Sequence, residues 1–164
     1  NKFFIIYRYK KKIDKLNDLL RFKQICKSKA IKFYVANNIK LALTLNSDGI
    51  YLSSYNKDLK FLNFQKKNFE IIGSAHNFKQ ISDKIKQGCS SILFSKLFLV
   101  DYDKKSSYLG ILKFNSFLKI SKNLIPLGGI KDHNLNHLNN VFGEGIALLS
   151  EIKKKPANII NRLF

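Results

Sequence analysis

Short apolar runs alternate with amphipathic stretches of helical period along almost the whole chain, and no hairpin signal joins any two of the runs. The first run, Phe3-Phe4-Ile5-Ile6-Tyr7, reads as a buried strand. It precedes a stretch in which Ile13, Leu16, Leu19, Leu20 and Ile25 recur at helical spacing. Ile31 to Val35 is the next strand, and Asn37 or Asn38 can cap a helix carrying Leu41, Ala42 and Leu45. Asp48-Gly49 turns the chain into Ile50-Tyr51-Leu52, and a looser segment through Leu59 and Leu62 leads to the strand Phe69 to Gly73. Asn77 caps a helix whose Phe78, Ile81 and Ile85 are expected to face inward, with Gly88 supplying the left-handed residue that ends it. Ser91 to Phe94, Leu124 to Leu127 and Gly145 to Leu149 read as three further strands. Helical stretches are expected near Ile111 to Ile120, Asn134 to Asn140 and Pro156 to Leu163, the last with Pro at the helix start, where its missing N–H costs nothing.

Seven strand-then-helix units result from this count, and repeated units of that kind require a parallel sheet with right-handed crossovers. The expected fold class is α/β, a (β/α)₈-type TIM barrel formed by one domain over residues 1–164. A barrel normally takes about 200 residues or more. A chain of 164 residues that opens at Asn1, with a strand at once, is therefore read as lacking the first unit. A doubly wound open sheet is the competing architecture, but neither GxGxxG nor a P-loop is present to announce it.

The formal charge is +19, from 30 Lys and Arg against 11 Asp and Glu, which raises the question of a nucleic-acid partner. The cations are almost all Lys, with Arg only at Arg8, Arg21 and Arg162. Base and phosphate readers depend on the planar fork of Arg. The charge is therefore read as a solvated lysine surface that attracts small anions, and the expectation is no nucleic-acid and no membrane partner. Cys26 and Cys89 stand far apart with no CxxC, giving neither a disulfide framework nor a zinc knuckle. No apolar run reaches the roughly 18 residues of a membrane helix, so a soluble, cytoplasmic protein is expected, with a homodimer compatible.

The sharpest local signals lie at strand ends. Pro126-Leu127-Gly128-Gly129-Ile130 ends a strand in Gly-Gly, and Gly143-Glu144-Gly145 through Leu149-Ser150 comes on the next. The loops after the last two strands of a barrel commonly bind phosphate, because glycines let backbone N–H groups approach the anion. A tight strand-to-helix turn is the plainer use of the same residues. Arg8 and Lys10 alternate at the end of the first strand and point the same way, where they can grip a second anion. His76, after Gly73-Ser74-Ala75, can act as a general base with Ser74 as donor, or simply cap the next helix. His133 and His137 share a helix face without the Glu of HExxH and read as surface residues.

Taken as a set, these motifs resemble the thiamine phosphate synthase/TenI family. Ser47-Asp48-Gly49-Ile50-Tyr51-Leu52 is similar to its A-D-G-V-H-L strand, and Ile71 to Asn77 to its I-G-V-S-x-H-N segment, one residue shorter. Leu127-Gly128-Gly129-Ile130 is similar to A-I-G-G-I, and Gly145 to Ser150 to G-V-A-V-V-S. The resemblance implies a barrel whose first strand falls before Asn1. It implies a transferase of thiamine biosynthesis that joins a hydroxymethylpyrimidine pyrophosphate to a thiazole phosphate, releasing pyrophosphate. Arg8 and Lys10 match the Arg and Lys of the family's Q-L-R-x-K strand, Ile6 replacing its Gln, and Ser74 matches the pyrimidine-side Ser. Gly128, Gly129, Leu149 and Ser150 match the cradle of the thiazole phosphate. The family's Mg²⁺ site carries Asp residues where this chain has Asn37 and Asn56, or Asp58 if the loop is two residues longer, and a neutral amide binds Mg²⁺ more weakly than a carboxylate. In the loop from Ser95 to Lys104 only Lys104 can replace the family's Lys. Two alternatives accompany the synthase: a TenI-like thiazole tautomerase with His76 as base, and a degenerate barrel that binds a phosphorylated metabolite without catalysis.

Overall fold

Phe4–Tyr7 forms β1, four apolar residues that fill a strand without an exposed polar face. Lys32–Ala36 (β2), Gly49–Leu52 (β3) and Glu70–Ala75 (β4) come next, and consecutive strands of this group pair in parallel. Leu16–Ser28 (α1), Ile39–Thr44 (α2) and Phe78–Lys86 (α3) are the helices that follow β1, β2 and β4. Ser91–Ser95 (β5), Gly110–Leu118 (α4) and Leu124–Leu127 (β6) complete the regular elements, with β5 and β6 also parallel. The computed structural model describes residues 3–9, 13–64, 69–103, 105 and 107–149. The chain divides into two compact units, Asn1–Ser74 with Ser82–Ser90, and Ala75–Ile81 with Ser91–Phe164. None of the described helices is long and apolar enough to cross a membrane.

In the first unit the period-two alternation of β2 sorts its side chains to two faces. Phe33 and Val35 pack with Leu19 and Cys26 of α1 and with Leu41, Ala42 and Leu45 at α2, joined by Ile5 and Tyr7 of β1. Tyr34 and Ala36 take the opposite face. There Tyr34 reaches across β3 and donates its hydroxyl proton to Glu70 on β4. The residue it crosses is Gly49, where a Cβ would stand 2.1 Å from the Glu70 carbonyl oxygen and 2.8 Å from the Tyr34 ring. α2 begins as expected, with Asn38 Oδ1 accepting from Leu41 N–H at 3.0 Å. In the second unit, Phe94 of β5 meets Phe114 and Phe117 of α4, the latter edge to face at 5.0 Å between ring centres.

Four expectations are corrected. Six strands, not seven, form among the described residues. The run Gly145 to Leu149 contributes only one parallel bridge, Ala147 to Leu127, with Ala147 N–H donating to Pro126 C=O at 2.9 Å. Extending that ladder backward needs an N–H at residue 126 for the carbonyl of Gly145, and proline has none. Extending it forward needs the Gly128 carbonyl, which already accepts from Phe98 N–H at 3.0 Å while Gly128 and Gly129 turn away at φ +94° and +71°. The stretch near residues 134–140 is a 3₁₀ helix, Asp132–Asn140. On α3, Ile81 is buried but Phe78 and Ile85 are 53% and 50% exposed. Its inner stripe instead runs through Ile81 and Lys84 and on to Gln87 just past its end, because the Lys84 ammonium and the Gln87 amide find partners there. On α1 only Leu19 and Cys26 are buried, and Leu16, Leu20 and Ile25 are exposed. The helix expected over residues 156–163 lies outside the described residues. Cys26 and Cys89 are both buried.

Candidate functional site

Three strands of the first unit bring Arg8, Tyr51 and Ser74 together. Tyr7 pairs with Val35 and Ala36 with Tyr51, so Arg8, one residue past Tyr7, stands level with Ala36 and Tyr51. Only the methyl group of Ala36 intervenes, and the Arg8 guanidinium lies over the Tyr51 ring, 5.5 Å from its centre. Tyr51 pairs with Ile72, and Ser74, two residues on, points to the same face. The Tyr51 hydroxyl donates to Ser74 Oγ at 2.8 Å. Tyr51 and Ser74 are 3% and 5% exposed, whereas Arg8 is open to solvent. Lys10 lies outside the described residues.

Asn37, after β2, adopts φ +55°, a left-handed conformation that Asn tolerates better than most residues. This turn aims its side chain at the loop after β3. Asn37 Oδ1 accepts from Ser53 N–H at 2.9 Å and from the Asn56 amide at 3.3 Å. Asn56 Oδ1 in turn accepts from Asp58 N–H at 3.0 Å. The Asp58 carboxylate is paired with Lys60, whose hydrogen bond and charge hold it below the usual carboxylate range. Each candidate oxygen for a divalent cation is thus turned toward an N–H donor or an ammonium. That donor set does not suit Mg²⁺, which favours charged oxygens in octahedral array.

The same loop is held from α3. Lys84 is fully buried, and its ammonium donates to Asn56 C=O at 2.6 Å and to Gln87 Oε1 at 2.7 Å. The Gln87 amide donates to the carbonyls of Asn56 and Asp58 at 3.1 and 2.9 Å. Gly73 makes room for the Lys84 stem, since a Cβ there would come within 2.7 Å of Lys84 Cδ. Desolvation lowers the Lys84 pKa, against the opposing influence of Cys89 and Asp83. Burial pushes the Cys89 thiol up to about 12, so it stays protonated and inert.

In the second unit His76 Nδ1 and Ser95 Oγ are 2.8 Å apart, joining the end of β4 to the end of β5. His76 N–H donates to Gln80 Oε1 at 2.7 Å, and Asn77 Oδ1 accepts from Gln80 N–H at 3.0 Å, so Asn77 caps α3 and the His76 ring is left exposed. Lys96 pairs with Asp103 at 2.8 Å and lies over the Tyr102 ring. Gly128 sits against Lys96, and Gly129 against the Phe98 carbonyl, which a Cβ at 129 would approach to 2.3 Å. Asn134 donates to the Gly129 carbonyl at 2.9 Å, pinning the turn to the start of the 3₁₀ helix. Leu149 is exposed in an irregular segment, and Ser150 and Lys104 lie outside the described residues. His137 meets the Phe98 ring edge on and His133 is exposed. Among the described residues no three His, Cys, Asp or Glu side chains form a metal cluster.

Tyr51, Lys84 and Ser95 were not singled out by sequence. Tyr51 carried a signal, its place in Ser-Asp-Gly-Ile-Tyr-Leu two residues after the glycine and one before the end of the strand. Lys84 carried only its spacing of three from Ile81, and Ser95 carried no signal, since its strand was read as ending at Phe94 and runs one residue further.

The model of the thiamine monophosphate synthase family matches residues 3–152. A thiamine-phosphate synthase of Prochlorococcus marinus (strain AS9601) is 31% identical over 141 residues, covering 85% of this chain and 40% of that protein. A thiamine-phosphate synthase of Persephonella marina is 29% identical over 160 residues, covering 92% of this chain and 74% of that protein. The chain therefore spans less than half the length of the first of these relatives and about three quarters of the second. Among solved structures, a thiamine phosphate pyrophosphorylase from Pyrococcus furiosus superposes with a TM-score of 0.71 at 15% identity, covering 98% of this chain and 83% of that one. That likeness extends to the parallel α/β, TIM-barrel-like fold.

Proposed function

The chain belongs to the thiamine monophosphate synthase family, and from that premise we propose that it is a transferase of thiamine biosynthesis that joins hydroxymethylpyrimidine pyrophosphate to thiazole phosphate. The observation that carries the reading is the placement of Arg8 and Ser74 on one face of the β1–β4 sheet, coupled through Tyr51. The bond that breaks is the one between the pyrimidine methylene carbon and the pyrophosphate oxygen, and the leaving oxygen keeps the electron pair. The bond that forms uses the lone pair of the thiazole nitrogen on the same carbon. Negative charge grows on the departing pyrophosphate, so fixed cations lower the barrier more than a base does. In this reading Arg8 and Lys10 take the pyrophosphate, Ser74 donates to the pyrimidine, and Lys104 supplies a further cation. Gly128, Gly129, Leu149 and Ser150 hold the thiazole phosphate.

Single turnover of the chain with both substrates, followed by appearance of thiamine phosphate with and without Mg²⁺, tests the proposal. Product is expected, and from neutral amides at 37 and 56 a rate that falls little when Mg²⁺ is withheld. Arg8→Ala is expected to slow it by about 10²-fold or more, the usual scale for one group stabilising transition-state charge. Thiazole phosphate binding without product would sink the synthase.

A second reading rests on the contact between His76 Nδ1 and Ser95 Oγ. A thiazole tautomerase needs one group to move a proton, and an exposed imidazole oriented by a neighbouring hydroxyl suits that task. Loss of tautomerisation in His76→Ala with phosphate binding intact would favour it over the transferase. Insensitivity to both substitutions would leave a phosphate-binding domain without catalysis.

A further inference from the structure

Tyr51 touches two of the side chains to which the proposed reaction is assigned, Arg8 and Ser74, and it does so with two different parts of itself. Its ring face lies under the Arg8 guanidinium at 5.5 Å, and its hydroxyl donates to Ser74 Oγ at 2.8 Å. The ring is 3% exposed, held on β3 between Ala36 on one neighbouring strand and Ile72 on the other. It is rigid where Arg8 is not, since Arg8 is open to solvent and carries a long flexible stem.

We propose that Tyr51 is a positioning residue that sets the donor direction of Ser74 and the resting place of the Arg8 guanidinium. The inference rests on the transferase reading above. A serine hydroxyl has one proton to give and can accept as well. Because Ser74 Oγ accepts from Tyr51, its own proton is turned away from Tyr51 and offered to a ligand acceptor, such as a pyrimidine ring nitrogen. Without the phenol the same hydroxyl can turn either way, and part of its population would present a lone pair to the ligand. The ring acts separately. It gives the exposed guanidinium a flat face to rest on, so less side-chain freedom remains to be lost when an anion arrives.

The two roles come apart in two variants. Tyr51→Phe keeps the ring and removes the hydroxyl, so it is expected to raise KM for the pyrimidine pyrophosphate about tenfold, the scale of one lost hydrogen bond. The inhibition constant of inorganic pyrophosphate should stay within about twofold in that variant. Tyr51→Leu removes both and is expected to raise both constants. The deciding measurement is the pairing of Tyr51→Phe with Ser74→Ala. If Tyr51 acts through Ser74, the hydroxyl deletion adds nothing once Ser74 is gone, a non-additivity that general loosening of the sheet would not produce.

Additive effects of the two deletions, an unchanged KM in Tyr51→Phe, or equal rises in KM and in the pyrophosphate constant would each overturn the proposal. If Tyr51→Leu does not fold, Tyr51→Phe with its Ser74→Ala pairing still decides, because it reads KM and the pyrophosphate constant with the ring in place. An unsubstituted chain that forms no product removes the transferase reading instead, a failure visible before any variant is made.

Discussion

A lysine with none of its side chain exposed to solvent, hydrogen-bonded to two neutral oxygens, is costly to keep charged, and Lys84 is in that position. Burial lowers its pKa, so in the range between that lowered value and the ordinary lysine value of 10.5 the unfolded chain holds the proton that the folded chain has released. Stability therefore rises with pH across that range and is diminished below it, where the folded chain must carry the buried charge. Lys84→Met removes the titration and keeps the stem against Gly73. Its melting temperature, subtracted from that of the unsubstituted chain, should yield a difference that climbs between neutral pH and pH 10. A flat difference would mean that the site admits water. Asn38 was legible as one of two candidate caps, because Asn has few other uses before a helix, whereas Asn37, the other candidate, takes a left-handed turn instead. Lys84 was not, because a lysine at an inner helical position reads as surface until the carbonyl of Asn56 is known to be there. Tyr51 escaped for a related reason: alternation shows which face a residue takes, not what stands on the adjacent strands.

At the scale of elements, termini were legible where a side chain caps them and illegible where a missing donor decides. Asn38 and Asn77 cap their helices as read, whereas α1 has Lys15 at its N-cap position with no side-chain cap, and only Asp18 in its first turn to meet the helix dipole. Lys15→Asp should stabilise the chain by about 1 kcal/mol, and Asn38→Ala should destabilise it by a similar amount. Urea titration of the two variants checks both, and equal midpoints would show that these helix ends do not form as described. The seventh strand failed for a reason written in the chain itself. Pro126 withholds the N–H that Gly145 would need, and Gly128 and Gly129 turn the chain off the ladder. Counting apolar runs cannot see either effect, because the obstacle lies in the neighbour of the run. The inner stripe of α3 was misassigned likewise, since Phe78 and Ile85 are more apolar than the Lys84 and Gln87 that displace them.

Over the whole molecule the charge balance organises what can approach. Five of the eleven acidic residues, Asp48, Asp58, Glu70, Asp101 and Asp103, each pair with a lysine, which leaves the formal balance strongly positive. With a formal charge of +19, association of a multiply charged anion should be fast at low salt and slow markedly as salt rises. Stopped-flow binding of inorganic pyrophosphate between about 20 and 300 mM KCl, the range over which the Debye length falls from roughly 20 to 6 Å, measures the slope, and a rate constant independent of salt would assign binding to short-range contacts alone. The parallel α/β class was legible at this scale because it needs only the order of runs. The residues that act together were less so, because they meet through registers that no single stretch encodes. Ala36 is one such residue, since Arg8 reaches Tyr51 only because position 36 is one carbon deep. Drift to valine or threonine there would put a branched side chain between the two and divert the cation while leaving Arg8, Tyr51 and Ser74 themselves unchanged, so a residue with no chemistry of its own decides whether they meet.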